Sequence, residues 1–230
     1  MLSHEPPWLP RALQALDLRH GERLLLCLPG SDEVAVAVRT ALGRNGSLTV
    51  IEPRRAAADA IARALPDATV ALADVQQGFR VGSFDAVLAL PFAPPPREAA
   101  VWAEFIAANL RPGGRFVVDL PAPVPMPDVL EAARDARLPC ADFLAQHWTG
   151  PDADELAASL RSQGLRRAET LLGTHLVLFA SPFEITDVLA AELRLPADQA
   201  FELGSSIARR AHATADLELR AMRSAVVGMR

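Results

Sequence analysis

The 230-residue chain contains no lysine and no tyrosine, so all 23 of its strongly basic residues are arginine. No step can therefore use a lysine Schiff base, a phosphate-loop lysine or a tyrosine acid. Only two cysteines occur, Cys27 and Cys140, which excludes a disulfide framework and a cysteine-based zinc site. Cys27 lies inside an apolar run and reads as a small buried hydrophobe. Long apolar runs are missing as well: residues 24–30 and 86–96 are too short or too proline-rich to span a bilayer. An excess of one charge is also absent. With 28 acids and a net charge of −5, there is no electrostatic footprint for nucleic acid or an anionic membrane. Residues 1–8 lack a basic head followed by an apolar stretch, so no signal peptide is expected and the cytoplasm is the expected location. His4, His20, His175 and His212 are scattered without ligand spacing, and no metal is expected.

What is present is a chain that is 50% apolar, too rich in Leu, Val and Phe to be disordered. Short apolar runs alternate with helix-like segments. Residues 23–28, 47–51, 68–73, 84–90 and 115–120 read as strands, the first as one buried on both faces. Between them, 33–42, 54–65 and 97–110 read as helices, with Ser31 or Asp32 as a cap for the first. Strands separated by helices imply a parallel sheet with right-handed crossovers and helices on both faces. Such a sheet binds ligands at the C-terminal ends of its strands, where Gly30, Glu52, Asp74 and Pro91 fall.

After residue 120 the rhythm breaks. Residues 121–151 form a proline-rich insertion with a short helix near 129–137, followed by a helix over 152–162. Residues 165–172 and 175–180 then read as an antiparallel hairpin turning at Gly173-Thr174. From Pro182 the pattern is helical, 183–195 and then 196–227, with a stripe of Leu203, Ile207 and Leu217 that needs burial. The expected organisation is an α/β domain over 1–181, with 121–151 as a substrate cap. A helical extension over 182–230 follows, expected to form a homodimer. A helix-turn-helix reading of 189–197 is disfavoured, because Arg194 stands at the turn and residues 183–230 carry seven acids against six arginines.

Residues 13–180 resemble the class I S-adenosylmethionine-dependent methyltransferases. The resemblance rests on Leu110-Arg-Pro-Gly-Gly-Arg-Phe-Val117, on Phe84-Asp-Ala-Val-Leu-Ala89, and on the order of five alternating units plus a final hairpin. It implies a doubly wound, mostly parallel seven-stranded Rossmann-like sheet and an S-adenosylmethionine site. The implied cofactor residues are Gly30, Ser31, Glu52, Asp74, Val75 and Leu90. Glu52 would accept hydrogen bonds from both ribose hydroxyls, Asp74 would meet the adenine amine, and Val75 would form part of the adenine wall. Read without the family, Glu52 is a solvated carboxylate at a strand end and Asp74 a turn residue. The cofactor loop departs from the family's Asp-x-Gly-x-Gly-x-Gly: the stretch is Leu26-Cys-Leu-Pro-Gly-Ser-Asp32, with only Gly30 kept. A lost glycine puts a Cβ where the backbone would approach the ligand.

Asn/Asp-Pro-Pro-Tyr/Phe, carried by amine-methylating members, is replaced by Ala89-Leu-Pro-Phe92, which points away from nucleic-acid amines. His147, beside Trp148, is the candidate general base for an oxygen acceptor, or else an ordinary loop histidine. The expected function is methyl transfer to a small molecule. The alternative is a methyltransferase-like protein without cofactor, serving assembly or regulation.

Overall fold

β1 (Arg23–Cys27) is the strand around which the sheet is built. Leu24, Leu25, Leu26 and Cys27 have no exposed surface. Side chains alternate across a strand, so Leu25 and Cys27 enter one core and Leu24 and Leu26 the other. The structure, a computed structural model, describes residues 8–77, 79–90, 99–122, 124–147, 153–179, 181–193, 195–211 and 217–230.

β1 pairs in parallel with β2 (Ser47–Ile51) on one side and β4 (Phe84–Ala89) on the other. β3 (Thr69–Ala71) and β5 (Leu110–Pro121) extend the parallel pairing outward. With β6 (Arg166–Phe179) and β7 (Leu217–Met229) the sheet has seven strands in the order β3-β2-β1-β4-β5-β7-β6. The mixed, mostly parallel α/β architecture is the one expected from the alternating pattern.

Helices cover both faces. α1 (Leu9–Leu16), α2 (Asp32–Leu42) and α3 (Arg55–Ala64) bury Leu9, Leu16, Val38 and Ile61 against Leu24 and Leu26. α4 (Ala99–Asn109) and α7 (Ala153–Ser162) bury Trp102, Phe105, Leu156 and Leu160 against Leu25 and Cys27. Cys27 is the buried hydrophobe expected, and burial pushes its thiol far above the usual range. Asn109, fully buried, accepts from the backbone N–H of Val81 and Gly82 and donates to the Phe79 carbonyl, fixing the chain's entry into β4.

Two expectations are corrected. In place of the hairpin expected over 165–172 and 175–180, β6 runs unbroken from Arg166 to Phe179 through Gly173-Thr174. Gly173 serves close approach instead of a turn. A Cβ there would lie 2.1 Å from Nη1 of Arg11, whose guanidinium crosses the strand and donates to the Leu172 carbonyl at 3.0 Å.

The helix expected over 196–227 ends at Ala211, as α9 (Ala197–Ala211), and the chain returns as β7, antiparallel to β5. The segment carries two periods. Ile207, Leu217 and Ala221 suit a helix, but Leu219 and Ala221 are buried while Glu218 and Arg220 are exposed, a period of two. The unfilled place beside β5 decides between them, with Val226 filling one core and Ala225 and Val227 the other.

The chain divides into two compact units. The first comprises residues 1–121, 151–173 and 223–230, and carries most of the sheet. The second comprises residues 122–150 and 174–222, including α5 (Pro127–Asp135), α6 (Cys140–His147), α8 (Pro182–Leu193) and α9. It has its own core of Val129, Leu130, Leu144, Ile185, Leu203, Ile207 and Leu219. Leu203 and Ile207, two residues of the stripe read as a dimer face, are thus buried within one chain.

On the α1 face of β5, Asp119 is almost fully buried and pairs with Arg223 of β7 at 2.6 Å. The Arg223 guanidinium also lies over the Trp8 ring, 4.6 Å from its centre. Burial pushes the Asp119 carboxyl up to about 6, against the opposing pull of Arg223. Unfolded, it ionises near 3.8. Between these values the folded chain keeps a proton that the unfolded chain has released. Stability from this group is therefore fully present below about pH 4 and falls as pH rises through 6, by about 3 kcal/mol in total. Urea midpoints taken from pH 4 to 7 should show this loss, and Asp119→Asn should flatten it.

Gly228→Ala probes how closely β7 packs on its neighbours. In β7 the new Cβ would meet the Phe116 ring at 2.7 Å and the Arg166 carbonyl at 2.9 Å. A loss of about 1–3 kcal/mol in denaturant unfolding is expected.

Candidate functional site

The parallel ladder continues one residue past β1, β2 and β4, and so fixes three chain exits side by side. Leu28 N–H donates to the Ile51 carbonyl at 2.8 Å, Glu52 N–H to Ala71 at 3.1 Å, and Leu90 N–H to Cys27 at 2.9 Å. These are the C-terminal ends of parallel strands, where open α/β sheets bind ligands.

Leu28, at a position where the resemblance calls for glycine, adopts the left-handed conformation, φ 57°. Gly30 follows at φ 79°. The loop thus keeps a backbone path suited to glycine while carrying a side chain at one of its bends, at a cost of about 1–2 kcal/mol for an L-residue. The Leu28 side chain is half-buried and packs on the core that holds Cys27, Ile51 and Val75. Ser31 caps α2 by accepting from Val34 N–H at 3.4 Å. Asp32 and Glu33 form the first turn, so the α2 N-terminus carries two acids. The Ser31 hydroxyl beside Glu33 holds its carboxyl below the usual range.

Glu52 is fully buried, in contrast to the solvated strand-end carboxylate of its plain reading. Its Oε2 accepts from Gly30 N–H at 3.1 Å and from Arg54 Nη2 at 3.4 Å. Its Oε1 accepts from Arg54 N–H at 3.1 Å and from Arg54 Nε at 2.8 Å. The Glu52 carboxylate in turn raises the Arg54 guanidinium above its ordinary value, while the Arg54 side chain remains 55% exposed. Glu52 and Gly30, 22 positions apart in sequence, are therefore one hydrogen-bonded unit. The partner that sequence reasoning missed is Arg54. Its signal was an arginine two positions after a strand-end acid, with Pro53 setting the bend between them.

The remaining candidates are placed as follows. β3 ends at Ala71, short of the expected residue 73, and the Asp74 carbonyl accepts from Gln77 N–H at 3.0 Å in a short 3₁₀ turn. Val75 and Leu90 are buried, Val75 beside Cys27, Ile51 and Ala89, and Leu90 in the core on the opposite sheet face. His147 is the last residue of α6 in the second unit, and its side chain lies outside the described residues, as do Trp148, Pro91 and Phe92. Among the described residues no group of three or more His, Cys, Asp or Glu could hold a metal ion. No described helix is long and apolar enough to cross a membrane. In the second unit a cleft of about 420 Å³ is lined by Asp128, Ile207, Arg210, Glu218 and Leu219. Asp128 is paired there with Arg220, and Arg210 with Asp135 and Glu131.

At the strand ends the Glu52 carboxylate is held by two backbone N–H groups and by the Arg54 guanidinium. The Leu28 side chain, together with Asp32 and Glu33, opposes a negatively charged group next to Gly30. Leu28→Gly should change stability by less than about 1 kcal/mol, because relief of the left-handed strain offsets the lost packing. Leu26→Ala, two residues earlier in ordinary strand geometry, should cost about 2–5 kcal/mol. Paired urea denaturation curves compare the two.

No family model matches the chain, and no curated protein matches it in sequence. Solved structures do match in fold. A methyltransferase candidate from Bacillus halodurans superposes with a TM-score of 0.62 at 14% identity, covering 96% of this chain and 97% of that one. A SAM-dependent O-methyltransferase from Thermotoga maritima gives 0.52 at 17% identity, with 97% of this chain and 65% of that one covered. The [4+2]-cyclase SpnF gives 0.55 at 16% identity, covering 96% and 80%. Sheet order, helix placement and these likenesses agree that the chain has the fold of the class I S-adenosylmethionine-dependent methyltransferases.

Proposed function

We propose that the strand ends bind S-adenosylmethionine and that the chain transfers its methyl group to a small molecule. The observation that carries this reading is the fully buried Glu52 carboxylate, aimed by Gly30 N–H across the ends of β1 and β2. The resemblance sets the acid at the end of the second strand against the ribose, and here that acid is buried and hydrogen-bonded instead of lying free in solvent. When bound, the cofactor supplies an electrophilic methyl on a sulfonium, and transfer needs mainly alignment and exclusion of water. The chain's own residues would then act by position. Glu52 would hold the two hydroxyls, Gly30 and Ser31 would lie along the loop, and Asp74 and Val75 would border the base. His147 is the proposed proton acceptor for an oxygen nucleophile, a small alcohol or phenol. The balanced charge of the chain favours a small-molecule acceptor over nucleic acid.

A second reading has specific support. Leu28 stands at a glycine position and Arg54 fills Glu52. The [4+2]-cyclase among the fold neighbours carries its own activity on this architecture, and fold alone does not fix chemistry. Under this reading the chain keeps the scaffold, has lost methyl transfer, and serves assembly or regulation.

Calorimetric titration with S-adenosylmethionine and S-adenosylhomocysteine separates the two. The first reading expects binding that weakens tenfold or more in Glu52→Ala, about 1.4 kcal/mol or above, with the fold intact by circular dichroism. No heat and no thermal shift at millimolar ligand would favour the second reading. Binding unchanged in Glu52→Ala would move the ligand elsewhere.

A further inference from the structure

We propose that Arg54 is the resident occupant of the nucleoside site, so that ligand entry exchanges its guanidinium for the two ribose hydroxyls. The proposal rests on the reading that the strand ends bind an adenosine-containing cofactor.

A carboxylate offers about four acceptor positions, and Glu52 uses all of them. Two are taken by backbone N–H groups, of Gly30 and Arg54, and two by Nε and Nη2 of the Arg54 side chain. The halves differ in mobility. The backbone donors belong to the loop after β1 and to the bend at Pro53, and they stay with the fold. The guanidinium sits on a flexible stem and is half in solvent, so it can leave and be hydrated. Glu52 itself, with 1% of its side chain exposed, cannot exchange its partners for bulk water in the same way. A ribose presents two vicinal hydroxyl donors, the same number that the guanidinium withdraws. The exchange therefore conserves hydrogen bonds at Glu52 and costs the ligand the ion pair. Arg54 sets the affinity of the site without being one of its ligands.

The test is titration of S-adenosylhomocysteine into the full chain and into Arg54→Ala, Arg54→Lys and Arg55→Ala. Arg54→Ala keeps the backbone N–H on Oε1 and removes only the competitor. It should bind about three- to fivefold more tightly than the unmodified chain, the worth of a half-exposed ion pair. Arg54→Lys, with one point donor in place of a fork, should fall between them. Arg55→Ala removes an equal charge next door that makes no bond to Glu52, and should leave affinity unchanged. In arginine-labelled nuclear magnetic resonance spectra, the Nε–H signal that disappears in Arg54→Ala should also shift when the unmodified chain is saturated. Equal or weaker binding by Arg54→Ala, with the unmodified chain binding, overturns this proposal and leaves the proposed function standing. No binding by any variant overturns both.

Discussion

β1 constrains everything else in the first unit. Four of its five residues have no exposed surface, and the strand is hydrogen-bonded on both sides. Its side chains divide between two cores, so it cannot slip by one residue without exchanging Leu24 and Leu26 for Leu25 and Cys27 between helix layers. The register of β2 and β4 follows from it, and so does the side-by-side exit of the chain at Leu28, Glu52 and Leu90. The candidate site is the consequence of three strands being stopped at one level by a shared ladder.

Glu52 shows how that level becomes chemistry. A carboxylate without exposure is tolerated only when its acceptors are filled. The loop after β1 supplies one donor because Gly30 takes a positive φ, and the turn after β2 supplies the rest through Arg54. Leu28 holds the same loop at a backbone angle that a side chain disfavours. The strain is stored beside the buried charge, where the shape of the loop matters to any ligand. Together these features place a buried carboxylate, fully hydrogen-bonded by the loop after β1 and by Arg54, at the ends of β1 and β2.

The tail couples the two ends of the chain. β7 lies between β5 and β6, so the sheet is complete only when residues 223–229 are in place. Arg223 then bonds Asp119 and covers Trp8, which ties the start of the described chain to its last strand. The second unit is made of two excursions, residues 122–150 and 174–222, that share one apolar core. Both excursions contribute to it: α5 and α6 bring Val129, Leu130 and Leu144 among others, and α8 and α9 bring Ile185, Leu203 and Ile207.

The first five strands were legible because buried parallel strands leave continuous apolar runs, punctuated by Gly and Pro, that suit no other structure of that length. The strand-end positions of Gly30 and Glu52 followed from those runs alone. The hairpin at Gly173 was misread because a glycine inside an apolar stretch signals a turn locally, whereas here it clears room for Arg11, 162 positions earlier in the sequence. The final strand was misread because residues 217–229 satisfy helix and strand periods alike, and only the unfilled place beside β5 selects the strand. Arg54 stands two residues from Glu52 in plain view, yet its pairing depends on how deeply Glu52 is buried. By itself the sequence determined which segments are apolar and where they stop. The tertiary structure decided what each stop faces, because burial and pairing depend on residues far away in the chain.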